Sequence, residues 1–144
     1  MKIQIKKLRP DAVIPCAGSA CAAGYDLCAW MDSPVTIPPQ VTIKVGTGLA
    51  VAVPEGYFGA VFARSGLAAK QGLRPANCVG VCDSDYRGEY IVALHNDGET
   101  PQTVAPGDRI AQLVILPCIT AEFEQVIELS STERGAGGFG STGK

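Results

Sequence analysis

The run Gly80–Glu89 reads G-V-C-D-S-D-Y-R-G-E, and it concentrates the reactive side chains of the chain. An apolar strand over Gly80, Val81 and Cys82 leads straight into Asp83, and Asp85, Tyr86 and Arg87 follow before Gly88. This order places the Asp83 carboxylate at the mouth of a β-hairpin, beside an aromatic ring. A buried carboxylate next to a flat ring suits a site that holds a small planar molecule and activates a water, with Asp83 as general base. Tyr86 suits either core packing or a platform under a sugar.

Further groups of the same kind recur along the chain. Ala63-Arg64-Ser65-Gly66-Leu67 joins a strand end to a short helix. Ser65 reads as a helix N-cap, and the same geometry offers N–H groups and the Arg64 charge to an anion. In Pro106–Leu113, P-G-D-R-I-A-Q-L, Asp108 and Arg109 read as a paired turn. Gln112 carries an amide into an apolar run and needs a partner: a phosphate oxygen, a neighbouring strand or another subunit. In Ala23-Gly24-Tyr25-Asp26-Leu27, Tyr25 reads as a core residue with a bonded hydroxyl. Asp26 suits a turn or the water shell of Mg²⁺. Asn77 suits a turn or the polar edge of a base. His95 reads as an ordinary strand residue and Cys82 as packing.

These groups need a scaffold, and the composition supplies one. Of 144 residues 47% are apolar and 18% charged, which excludes a disordered chain. Seventeen Gly and ten Pro without a long helical period imply short strands joined by turns. Strands are expected at 41–45, 49–53, 60–62, 90–95, 110–116 (buried on both faces) and 121–129, with one helix over Ser65–Gln71 stopped by Gly72. The fold class is all-β, a jelly-roll-like sandwich or barrel, with residues 1–132 as the β domain. Residues 133–144 form a flexible Gly-rich C-terminal arm, in which Arg134, Phe139, Gly140, Ser141 and Thr142 suit a lid closing over a nucleotide. A net charge of −2 argues against a nucleic-acid partner. The absence of a signal segment or a membrane-length run implies a cytoplasmic protein with no membrane partner. Six cysteines without a C-x-x-C and a single histidine argue for reduced thiols and against a zinc site.

Taken in order, A-G-Y-D-L, R-S-G-L-A, G-V-x-D-S-D-Y-R-G-E, G-D-R-I-A-Q-L and R-G-x-G-G-F-G-S-T-G closely resemble the five motifs of the trimeric dUTPases, from Ala23 to Gly143. The resemblance implies a homotrimer of jelly-roll subunits with intersubunit active sites. It implies hydrolysis of dUTP to dUMP and pyrophosphate with Mg²⁺, which limits uracil in DNA and supplies dUMP for thymidylate synthesis. It assigns water activation to Asp83, uracil reading to Asn77 and the backbone of Gly80, Val81 and Cys82, and the deoxyribose to Tyr86. It gives phosphate binding to Arg64, Ser65, Gly66 and Gln112, and Mg²⁺ through water to Asp26. From the tail, Arg134, Ser141 and Thr142, with Gly140 between Phe139 and Ser141, would clamp phosphate while Phe139 stacks over uracil. Ala63 and Cys82 depart from the usual residues of the family without removing a functional group. A dCTP deaminase-type relative and a regulatory nucleotide-sensing protein on the same scaffold are the competing readings.

Overall fold

Alternation along the chain becomes strands wherever a neighbouring strand can pair. The structure, a computed structural model, describes residues 1–139. In chain order it holds β1 (Gln4–Lys7), β2 (Tyr25–Cys28), β3 (Val35–Ile37), β4 (Thr42–Gly46), β5 (Leu49–Ala52) and β6 (Tyr57–Phe62). There follow α1 (Ser65–Gln71), β7 (Leu73–Pro75), β8 (Gly80–Cys82), β9 (Ile91–Asn96), β10 (Gln102–Val104) and β11 (Arg109–Pro117). All strand pairs are antiparallel. A four-stranded sheet runs β2-β11-β6-β8, a three-stranded sheet runs β4-β9-β7, and β1-β5 and β3-β10 form two-stranded pairs.

The sheets share one core. Leu27, Val61 and Leu113 from the four-stranded sheet meet Val45, Val92 and Leu94 from the three-stranded sheet. In β9 the buried residues are alternate ones, Val92, Leu94 and Asn96, as a strand with one face inward requires. Asn96 is the buried polar member and is fully satisfied. Its Nδ2 donates to Ile37 O and Thr100 O, both at 2.9 Å, and its Oδ1 accepts from Gly98 N at 2.9 Å. The result is an open antiparallel sandwich of the jelly-roll kind, the expected class.

The central strand β11 lies between β2 and β6, and its buried residues are Ile110, Ala111 and Leu113. Its second half is only half-buried, so burial on both faces holds for the first half alone. Helix α1 occupies the expected span, and Gly72 ends it in the left-handed conformation (φ 67°), donating to Ala68 O at 3.1 Å. The N-cap is Arg64 rather than Ser65, and no side chain caps the helix. The expected strand over 121–129 does not form. Ile119, Phe123, Ile127 and Leu129 are almost fully exposed, because the single chain offers this alternating segment no partner edge.

Candidate active site

The register of three strands builds the first half of the site. Gln112 on β11 stands opposite Asp26 on β2 and Phe62 on β6, so the chain leaving β6 brings Arg64 to Asp26. Asp26 accepts from Arg64 Nε at 2.8 Å and from Arg109 Nη1 at 3.2 Å. Gln112 Nε2 donates to Ala63 O at 2.9 Å, so a neighbouring segment of the same chain satisfies the amide. A Cβ at Gly24 would run into that amide, which explains the glycine before Tyr25. These groups, with Ser65, Gly66 and Lys70, line a cavity of about 670 Å³. Ser65 and Gly66 are exposed at the start of α1, and the Ser65 hydroxyl is not consumed as a cap.

Arg109 belongs to this groove, against the expectation of an Asp108–Arg109 pair. Asp108 Oδ2 instead accepts from Ala105 N at 2.8 Å within the turn. Simple alternation puts residues three apart on opposite faces of a strand. The β11–β2 register shifts between Arg109 and Ala111, and this bulge turns Arg109 to the face of Gln112. The bulge has no marker in the sequence, which is why Arg109 escapes a pattern reading. Tyr25 also departs from expectation. It is 40% exposed at the edge strand instead of lying in the core.

The second half is a slot of about 390 Å³ lined by Asn77, Gly80, Val81, Cys82, Asp83 and Tyr86, with Pro75, Ala76, Glu89 and Tyr90. A Cβ at Gly80 would sit 3.1 Å from Val61 Cβ and 3.4 Å from Asn77 Nδ2, so glycine keeps the slot open at its floor. Tyr86 is held as a platform: its hydroxyl donates to Glu89 O at 2.9 Å, and its ring centroid lies 6.1 Å from that of Tyr90. Arg87 Nη1 ties the turn together by donating to Ser84 O at 2.6 Å and Tyr86 O at 2.9 Å. Asp85 is an exposed turn residue with no ion pair among the described residues. Asp83 is exposed on this chain, not buried as expected. The expected hairpin does not form either: β8 pairs with β6 and β9 with β4 and β7, so Asp83 follows the end of β8 in a turn that links two different sheets. No described residue hydrogen-bonds its carboxylate, which is free to act on a water. Beneath the slot the Tyr90 hydroxyl is buried without an aligned partner, beside the Cys82 thiol, and burial raises the pKa of both groups.

On one chain the two halves lie apart. Cys82 pairs with Gly59, whereas Arg64 leaves the far end of β6 beyond Phe62. At about 3.3 Å per residue, Asp83 and Arg64 are separated by on the order of 20 Å along the strands. Arg134 donates to Gly137 O at 2.9 Å in a local turn, and Phe139 is fully exposed; neither lines either cavity. Gly140, Ser141 and Thr142 lie outside the described residues. All six cysteines are free. Among the described residues, no helix is long and apolar enough to cross a membrane.

An anion groove edged by arginines and a slot edged by a free carboxylate, on one antiparallel sandwich, define a nucleotide-hydrolase scaffold. The dUTPase family model matches residues 11–143, and the chain belongs to the dUTPase family. It is 51% identical over 146 residues to the deoxyuridine 5'-triphosphate nucleotidohydrolase of Desulfitobacterium hafniense, covering 99% of this chain and 97% of that protein. It is 45% identical over 149 residues to the Acinetobacter baumannii protein of that name, covering 100% and 99%. Among solved structures, a point mutant of the Staphylococcus bacteriophage 80alpha dUTPase with dUpNHpp matches with a TM-score of 0.90. That match has 32% identity and covers 99% of both chains. A mutant dUTPase from phage phi11 of S. aureus, described with a structural Mg(II) ion, matches with a TM-score of 0.81 and 27% identity, over 91% and 100%.

Proposed function

We propose that the chain hydrolyses dUTP to dUMP and pyrophosphate at sites that copies of the chain complete for one another in a homotrimer. The observation that carries this reading is the free Asp83 carboxylate at the lip of a slot floored by Gly80 and walled by Tyr86. Uracil enters the slot, where Asn77 and the strand backbone of β8 read its polar edge and a thymine methyl meets the wall. The deoxyribose packs on Tyr86, leaving no room for a 2′-hydroxyl. The phosphates lie on Arg64, Ser65, Gly66 and Gln112 of another copy, with Arg109 and Lys70 adding charge. Asp83 takes a proton from the water that attacks the α-phosphorus. The new P–O bond forms as the bond to the bridging oxygen breaks, and pyrophosphate leaves. Positioning and charge neutralisation supply most of the acceleration.

Two features support shared sites. The carboxylate and the phosphate arginine are too far apart on one chain to meet one triphosphate. The segment after β11 exposes Ile119, Phe123, Ile127 and Leu129, which a neighbouring copy would cover. It carries Arg134 and Phe139 away from their own chain, and with Gly140, Ser141 and Thr142 they close a site on another subunit. In this reading residues 1–132 are the catalytic β domain and 133–144 the closing arm.

The donor set fits Mg²⁺ that arrives with the substrate. Among the described residues no three His, Cys, Asp or Glu side chains cluster to cage a metal, and both Asp26 oxygens already face guanidinium groups. Such a carboxylate would hold Mg²⁺ through water, the remaining ligands being phosphate oxygens and water. When bound, Mg²⁺ neutralises charge on the phosphates.

Pyrophosphate release from dUTP, dTTP, dCTP and UTP with Mg²⁺ tests the reading. Release from dUTP alone is expected. Ammonia or a uracil product from dCTP would instead establish the deaminase.

A further inference from the structure

We propose that Arg74 is a positioning residue of the base slot: held by Asp97, its guanidinium fixes the backbone that carries Asn77. This rests on the slot being the base site. Arg74 lies on β7 opposite His95 on β9. Its Nε donates to Asp97 Oδ2 and its Nη2 to Asp97 Oδ1 at 3.2 Å, a two-pronged contact. The remaining nitrogen, Nη1, donates to Pro75 O at 3.0 Å and Ala76 O at 3.4 Å.

Pro75 and Ala76 line the slot, and Asn77 is the next residue. Residues 77–79 lie between β7 and β8, and among the described residues their backbone makes no hydrogen bond, so the loop is fixed where it begins. Two ties act there: Ala76 N donates to Ala93 O at 2.7 Å, and Arg74 grips the carbonyls. Asp97 is itself steadied by His95 Nε2 at 3.2 Å, and His95 Nδ1 shares a hydrogen bond with Thr42 Oγ1 at 2.8 Å. The network therefore runs from β4 through β9 to the lip of the slot. His95, an ordinary strand residue by sequence, is a link in it.

An exposed ion pair of this kind adds little to stability. Its consequence falls on where the Asn77 amide points. A lysine could supply the charge but not the fork that spans a carboxylate and two carbonyls at once.

The test compares Arg74→Gln, Asp97→Asn, the double variant and Arg74→Lys with wild type in steady-state dUTP hydrolysis and thermal unfolding. The expected result is a KM for dUTP raised about tenfold, kcat nearly unchanged, and weaker discrimination against dCTP. The double variant should be no worse than either single one, and Arg74→Lys should not restore KM. Asp97→Asn keeps the shape of the side chain and serves if Arg74→Gln fails to fold. Unchanged KM and selectivity in the variants of an active wild type would overturn the proposal alone. Wild-type protein that does not turn over dUTP would sink it together with the functional reading.

Discussion

Asp26 accepts a hydrogen bond from Arg64 Nε at 2.8 Å, which turns the guanidinium toward the groove that starts at Ser65. Arg109 closes on the second Asp26 oxygen at 3.2 Å. The carboxylate therefore does two things: it orients two cations and, in the proposed function, faces the water shell of Mg²⁺.

Asp26→Ala separates these tasks. The loss of orientation should raise KM for dUTP by about ten- to hundredfold. A contact through the Mg²⁺ water shell should also raise the Mg²⁺ concentration needed for half-maximal activity. Titrating Mg²⁺ at saturating dUTP reads the second effect, and an unchanged midpoint would remove Asp26 from the metal's surroundings.

Asp83→Asn keeps the size of the side chain and removes the base. Turnover should fall by about 10²- to 10⁴-fold, while dUTP binding by calorimetry stays close to wild type. A variant with normal turnover would mean that another group takes the proton.

The thiols should divide by position. Cys16, Cys21, Cys78 and Cys118 are exposed, whereas Cys28 and Cys82 are partly buried. Burial raises the pKa of both; at Cys28 the Asp26 carboxylate adds to the rise, and at Cys82 the Asp83 carboxylate does. Raised folded values keep both thiols neutral. Their contribution to stability is therefore complete below the ordinary thiol value of 9.0 and is lost as pH rises through the raised values. A disulfide reagent at pH 8 should label Cys28 and Cys82 last, and peptide mapping over time checks the order.

Much of this arrangement was legible before the fold. Gly72 stopped the helix where a left-handed cap was needed, alternation located β4 and β5, and β9 overlapped a strand candidate. Three features escaped for physical reasons. The bulge in β11 that redirects Arg109 leaves no trace in a period-two pattern. The short strands β3, β7 and β10 are defined by their partners more than by their own residues. The segment 121–129 alternates as a strand should, yet a strand needs a partner edge, and its own chain supplies none. The individual groups of the site were readable; their division between two ends of one sheet came from register.

Asn96 provides a check on the core. Replacing it with Ala leaves the carbonyls of Ile37 and Thr100 and the Gly98 N–H without their partner. Unfolding in urea should show a loss of about 2 kcal/mol.

The central claim is that one site takes Asp83 from one copy and Arg64 from another, and subunit mixing tests it most directly. Asp83→Asn and Arg64→Ala proteins, each inactive alone, are unfolded together and refolded as an equal mixture. In mixed trimers some sites receive an intact Asp83 and an intact Arg64 from different chains, and random assembly should restore about a quarter of wild-type dUTP turnover. A mixture as inactive as its two parents would contradict the account.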